Sequence, residues 1–110
     1  MNKDTYVAEC MECHRLCMEA VSYCLRKGGD YAEENHIKLL LNTSQICMTA
    51  VDFMIRGCEN LPDLCEIASY ICERTVVSCQ RWAETDPLLK QCMNQCSRCG
   101  EHNRKIMIAA

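Results

Sequence analysis

The stretch LCEIASYICERTVVSC, residues 64–79, decides the fold predicted for this chain. Cys65, Cys72 and Cys79 recur within it every seven residues, and Ala68 lies one helical turn beyond the first of them. In an α-helix, positions three, four and seven apart share one face. The stretch therefore predicts a helix that turns a row of cysteines towards the interior of the fold.

Three further segments carry the same kind of stripe. We expect them over about residues 4–27, from about 30 to 57 or 58, and from 87 onward. Cysteines recur at steps of three and four in the first and last segments, which is helical spacing. Other positions predicted to face inward are Tyr6, Ala20, Val21, Ile37, Leu40, Ser44, Val51, Met54, Leu89 and Ile106.

Glycine and proline mark the connections. Gly28 is placed to end the first helix, and Asp30 with Glu33 predicts a capping box at the start of the second. Pro62 and Pro87 each suit the first turn of a helix. Four helices with short connections favour antiparallel neighbours. We therefore predict an all-α chain forming an antiparallel up-down-up-down four-helix bundle, with residues 1–110 as one domain.

Composition excludes several classes of function. The net charge is −3 and the 12 Lys and Arg are dispersed among 15 acidic residues, so we expect no nucleic acid partner. No apolar run of about 18 residues is present, so we expect no membrane partner. The N-terminal residues do not form a secretory signal, which predicts a cytoplasmic, reducing location unless an export signal has been removed.

The cysteine spacing indicates metal ligands. Pairs such as Cys13 with Cys17, and Cys92 with Cys96, can each direct two sulfurs at one soft ion. The candidate metal ligands are Cys10, Cys13, Cys17, Cys24, Cys47, Cys58, Cys65, Cys72, Cys79, Cys92, Cys96 and Cys99, with His36 and His102 as possible accessory ligands.

Antiparallel packing predicts that the sulfurs meet in three layers. The middle layer would hold Cys17, Cys47, Cys72 and Cys96. One end would hold Cys24, Cys79 and Cys92, with His36 close by. The other end would hold Cys10, Cys65 and Cys99, with Cys58 and His102 as additions. The result is a tube lined by sulfur.

Copper(I) is the metal that this pattern favours. Many monovalent ions, each bridged by two or three sulfurs, can balance the charge of the thiolates along the tube. Disulfide bridges conflict with a reducing compartment, and buried cysteine as a small hydrophobe does not explain so large a set. A small zinc or iron-sulfur helical protein remains an alternative, as does a structural interaction bundle with limited metal capacity. No cysteine is set apart as a nucleophile, so we predict no enzyme.

The chain also resembles the cysteine-rich four-helix-bundle copper storage proteins of bacteria. The likeness is carried by ECMECHRLC (9–17), QICMTAV (45–51), LCEIASYICE (64–73) and QCMNQCSRCGE (91–101). The resemblance implies a homotetramer that stores copper(I) on inward cysteines. It also leaves gaps, because comparable inner positions hold other residues here, namely Val21, His36, Thr43, Ala68, Thr75 and Asn103. These gaps could mean fewer ions, a role in sensing or delivery, or a bundle that has largely given up storage.

The histidines and the methionines next to cysteines are expected to have structural roles. We expect His14 at the surface, and we favour solvated positions for His36 and His102 at the two ends of the tube. Methionines next to cysteines, such as Met18 and Met48, should turn towards helix interfaces and serve packing or oligomer contact.

Overall fold

The computed structural model describes residues 2–109 and confirms the all-α four-helix bundle. Helix α1 spans Lys3–Lys27, α2 Glu34–Arg56, α3 Leu61–Cys79 and α4 Pro87–Ala109. Short 3-10 helices, Gly29–Ala32 and Gln80–Trp82, lie after α1 and α3. Each helix packs against the next along the chain, and α4 packs against α1. The bundle measures 42 × 20 × 20 Å.

Local sequence explains where the helices begin and end. The side chain of Asn2 accepts a hydrogen bond from the Thr5 amide at the start of α1. Gly57 ends α2 with φ of 67°, in the left-handed region that glycine adopts without strain. Asp86 precedes α4, and its carboxylate accepts a hydrogen bond from the Leu89 amide.

The predicted capping box at the second helix is wrong. Asp30 lies inside the 3-10 helix, and α2 begins only at Glu34. The cap is Glu33, whose own carboxylate accepts hydrogen bonds from the amides of Asn35 and His36. The 3-10 turn occupies residues that the sequence pattern had assigned to the helix.

Thiols occupy much of the space that hydrocarbon normally fills in a bundle. Eleven of the twelve cysteines are buried, and only Cys58 is half-exposed. Among residues 2–109, the buried aliphatic side chains larger than alanine are Leu16, Val21, Leu40, Val51, Leu61 and Leu89. Such a core removes less apolar volume from water than a leucine core of the same length.

A single glycine sets how closely α3 and α4 pack. Gly100 is buried, and a Cβ at that position would lie 3.2 Å from the Cβ of Cys72. That distance is shorter than most Cβ contacts in proteins, so the glycine lets the two helices approach closely.

The outer surface of the bundle exposes nine large apolar side chains among the described residues. On α3, Ile67, Tyr70 and Val77 are all more than half exposed and share one helix face. Between residues 2 and 109, none of the helices combines the length and the apolar character that crossing a bilayer requires.

Candidate metal centre

A row of cysteine sulfurs runs along the seam between α1 and α4. The Sγ atoms of Cys10 and Cys99, of Cys13 and Cys96, and of Cys17 with both Cys92 and Cys96 are each 3.8 Å apart. Cys47 of α2 joins the row, with its Sγ 3.7 Å from that of Cys99. All of these are free thiols.

Two groups in this row have the arrangement that a three-coordinate ion needs. The sulfurs of Cys13, Cys17 and Cys96 lie within 4.8 Å of one another, and so do those of Cys13, Cys47 and Cys99. Cys13 belongs to both groups and joins them. We call these two groups the sulfur triads. Small movements of the sulfurs would bring each triad into contact with a single ion.

The seam that holds the triads is covered by a buried polar contact. The Gln95 amide nitrogen donates to the Glu9 carbonyl, at 3.0 Å, and to the Glu9 carboxylate, at 2.6 Å. Gln95 is 2% exposed and connects α4 to α1 outside the sulfurs. Because Glu9 and Gln95 adjoin Cys10 and Cys96 in the sequence, this contact links α1 to α4 next to the sulfur row.

One end of the tube carries a thiol and an imidazole side by side. His36 Nε2 lies 3.6 Å from Cys24 Sγ, while His36 Nδ1 lies 2.6 Å from the Ser78 hydroxyl. The favoured solvated position for His36 is wrong, because this side chain is 0% exposed. The ring of Trp82 packs over it, with centroids 4.8 Å apart, and Tyr31 stacks on Trp82.

The opposite end is closed by a tyrosine and an asparagine. Tyr6 donates a hydrogen bond of 2.5 Å to the Asn103 side-chain oxygen, and its hydroxyl lies 3.5 Å from Cys65 Sγ. The Asn103 amide donates to the Cys99 carbonyl and contacts Cys99 Sγ at 3.6 Å. Both side chains are buried, so a polar pair closes this end of the tube and contacts the sulfurs of Cys65 and Cys99.

Two threonines interrupt the sulfur lining on the α2 and α3 side. Thr43 and Thr75 are 0% exposed, and their hydroxyl oxygens are 2.7 Å apart. At that distance one hydroxyl donates to the other, which in turn donates to a carbonyl of its own helix, Leu39 for Thr43 or Ile71 for Thr75. The hydroxyls are therefore satisfied within the protein and leave this part of the wall without a soft donor.

Without metal, burial opposes ionisation of the thiols at the two ends. Desolvation raises the pKa of Cys24 to about 11, and it also raises the pKa of Cys65. Inside the row, hydrogen bonds from Cys47 and Cys99 lower the pKa of Cys10, while the same contacts raise the pKa of those two partners. One thiolate is thus stabilised by neighbours that keep their protons.

These shifts predict how the stability of the metal-free protein depends on pH. Because the folded-state pKa of Cys24 lies above the ordinary value of 9.0, the folded chain holds more protons than the unfolded chain between about pH 9 and 11. We expect the melting temperature of the reduced, metal-free protein to fall over that interval. A C24S/C65S variant should show a shallower fall, and an equal fall in both proteins would contradict the assignment.

The predicted layers are met only in part. Cys17 does contact Cys96, but Cys47 pairs with Cys99 and Cys13 instead of Cys17. α2 is therefore displaced along the bundle relative to the predicted register, whereas α1 and α4 pair as predicted. At the ends, Cys24 lies beside His36 and Cys10 beside Cys99, as the predicted layers require.

Two predicted candidates stand apart from the sulfur row. Cys58 follows the end of α2 and is half-exposed. His102 is half-buried, and its Nδ1 is shielded from solvent with no hydrogen-bond partner within residues 2–109. Neither side chain has a hydrogen-bonding contact to a cysteine sulfur in the part of the chain that the structure describes.

The structure also brings in residues that the sequence interpretation had not assigned to the site. Tyr6 was predicted only to face inward, and Gln95 was not singled out. Asn103 was predicted to occupy an inner position where relatives carry cysteine, and that prediction did not include its contact with Tyr6. The only sequence signal for these site residues was a polar side chain on a helix face that otherwise carries cysteines.

Comparison with known proteins places this geometry in context. A family model described as copper storage protein matches residues 1–108. The crystal structure of the Nmul_A1745 protein from Nitrosospira multiformis is similar, with 30% sequence identity and a TM-score of 0.88. The match covers 99% of this chain and 97% of the other. A search of the curated proteins finds no match.

Proposed function

Because the chain belongs to the copper storage protein family, we propose that it stores copper(I) ions on the thiolates inside its bundle. The observation that carries this proposal is the row of buried sulfurs between α1 and α4, with neighbours 3.7 to 3.8 Å apart. Copper is the cargo, and the whole chain acts as one domain. No residue is assigned a catalytic role.

The oxidation state follows from charge and softness. No Lys or Arg is buried among residues 2–109, so the charge of the thiolates has to be balanced by the bound ions themselves. Monovalent copper reaches balance at one ion per thiolate, and soft thiolates bind it strongly at two- or three-coordinate sites. The sulfur triads suit such sites, whereas zinc requires four ligands around each ion.

Roles within the proposed store differ along the tube. Cys10, Cys13, Cys17, Cys47, Cys92, Cys96 and Cys99 supply the central ligands, with Cys72 alongside. Cys24, Cys65 and Cys79 extend the set towards the ends. His36, oriented by Ser78 and adjacent to Cys24, is an accessory ligand at one end. Cys58 and His102 contribute least to copper binding.

Metal counting tests the proposal directly. Copper(I) is titrated into the reduced protein without oxygen, against a chromophoric chelator of copper(I). We expect the protein to take several ions from the chelator, with an upper scale set by its eleven buried thiols. If the chelator keeps all the copper, the storage proposal fails and an interaction bundle takes its place. A brown apoprotein with iron and sulfide would instead identify a cluster protein.

Self-association is a second part of the proposal. The exposed face of Ile67, Tyr70 and Val77 on α3 supplies apolar area that a homotetramer could bury. We expect sedimentation velocity of the full chain to show an oligomer, and a Y70E/V77E variant to sediment as a smaller species. Unchanged sedimentation of the variant would remove this face from the interface.

Such a store requires thiols that remain reduced. We therefore propose that the chain works in the cytoplasm, where disulfides do not persist. Copper(I) is also the oxidation state that a reducing compartment maintains.

A further inference from the structure

A groove on the outside of the bundle contains a second set of soft metal donors. It lies between α1 and α2, has a volume of about 510 Å³, and its lining includes His14, Met18, Ser44, Met48 and Asp52. None of these side chains belongs to the sulfur row inside the bundle. We call this feature the His-Met groove.

The imidazole in the groove is held with one nitrogen free for a ligand. His14 Nδ1 lies 3.1 Å from the Ser44 carbonyl oxygen and 2.7 Å from the Ser44 hydroxyl. Both contacts engage Nδ1 with Ser44, and in the tautomer in which Nδ1 donates to the carbonyl oxygen, Nε2 keeps its lone pair. Ser44 is 2% exposed, which fixes this partner in place. Histidines that bind metals are commonly oriented in this way.

The two methionines bring thioether sulfurs to the same place. Met18 follows His14 by four residues, so the two side chains lie one turn apart on one face of α1. Met48 reaches the groove from α2, four residues after Ser44. Met18 is 44% exposed, and leaving this apolar side chain in water makes it available to a ligand. Thioether and imidazole donors both bind copper(I).

From these contacts we propose that the His-Met groove binds one copper(I) ion through His14 Nε2 and the sulfurs of Met18 and Met48. The proposal goes beyond storage in the interior, because it adds a site that external chelators can reach. Its three donors are neutral, so the ion is held more weakly than by thiolates. The Asp52 carboxylate in the groove supplies some of the opposing charge.

Methyl NMR of the full-length protein tests this site. The protein carries ¹³C-labelled methionine methyl groups, and copper(I) is added without oxygen as its acetonitrile complex. We expect the Met18 and Met48 signals to shift after the interior has filled, while Met107, in a separate groove beside Arg104, stays unchanged. Unmoved Met18 and Met48 signals overturn the proposal, even where the interior has filled normally.

Variants separate this site from the interior store. M18L/M48L and H14Q should lose the weakly held ion and keep the tightly held ions. M107L, a replacement of the same kind outside the groove, should keep both. Circular dichroism establishes that each variant is folded. A groove variant that retains the weakly held ion overturns the proposal. An unaltered protein that binds no copper tightly would contradict the storage function instead.

Discussion

A variant with Cys13, Cys17, Cys96 and Cys99 replaced by serine will lose most of its tightly bound copper. Each close sulfur pair in the α1–α4 seam includes at least one of these four residues, and both sulfur triads lose two or more members. Serine offers a neutral, hard oxygen that copper(I) binds poorly. The count is made by competition with a copper(I) chelator and by elemental analysis.

A matched variant makes this expectation specific. Replacing Cys24, Cys58, Cys65 and Cys79 removes the same number of thiols but leaves every close pair of the seam intact. This control should keep most of its tightly bound copper. Equal losses in the two variants would show that the ions do not depend on the seam. Far-ultraviolet circular dichroism checks that both variants keep their helices.

Copper loading will raise the melting temperature of the reduced chain by a large amount. An ion that binds only the folded state, at about 1,000 times its dissociation constant, adds about 4 kcal/mol to the free energy of unfolding. For a domain of this size each kcal/mol raises the melting temperature by about 4 °C, so one site alone adds about 15 °C. Differential scanning calorimetry under nitrogen measures the shift.

Two controls test whether bound copper causes the rise in melting temperature. Removal of copper by excess chelator should return the melting temperature to that of the metal-free protein. The C13S/C17S/C96S/C99S variant should gain little from added copper, since it lacks the seam ligands. A loaded protein that melts at the same temperature as the metal-free one would mean that the ions sit outside the folded core.

The helices and their inward cysteines could be predicted because they depend on local periodicity. Cys65, Cys72 and Cys79 repeat at seven-residue spacing, and all three are buried as that spacing predicted. Proline and glycine near the ends fixed the connections. A stripe of this kind indicates which face of a helix is buried, and the buried faces of the four helices were sufficient to predict the bundle.

The register between helices could not be predicted from the stripes. Cys47 meets Cys99 and Cys13, not Cys17, because the position of a helix along the bundle depends on the connections and on packing. The 3-10 turn at Gly29–Ala32 occupies residues that the pattern had assigned to α2. Periodicity within a helix carries no information about sliding along a neighbouring helix.

Contacts between distant polar side chains were also outside the reach of periodicity. Tyr6 meets Asn103 across 97 positions of sequence, and His36 is covered by Trp82 from the other half of the chain. His36 looked like an end residue because it is in the first turn of α2. Its burial comes from the aromatic cover, which only the folded chain assembles.

The spacing of the sulfurs in the seam also makes the empty protein sensitive to peroxide. Thiols 3.8 Å apart need to approach by only about 1.8 Å to form a disulfide bond. Every such bond would remove two thiolate ligands and link α1 covalently to α4. Ions already seated between the sulfurs would block that reaction, so a full store protects its own capacity and an empty one is vulnerable.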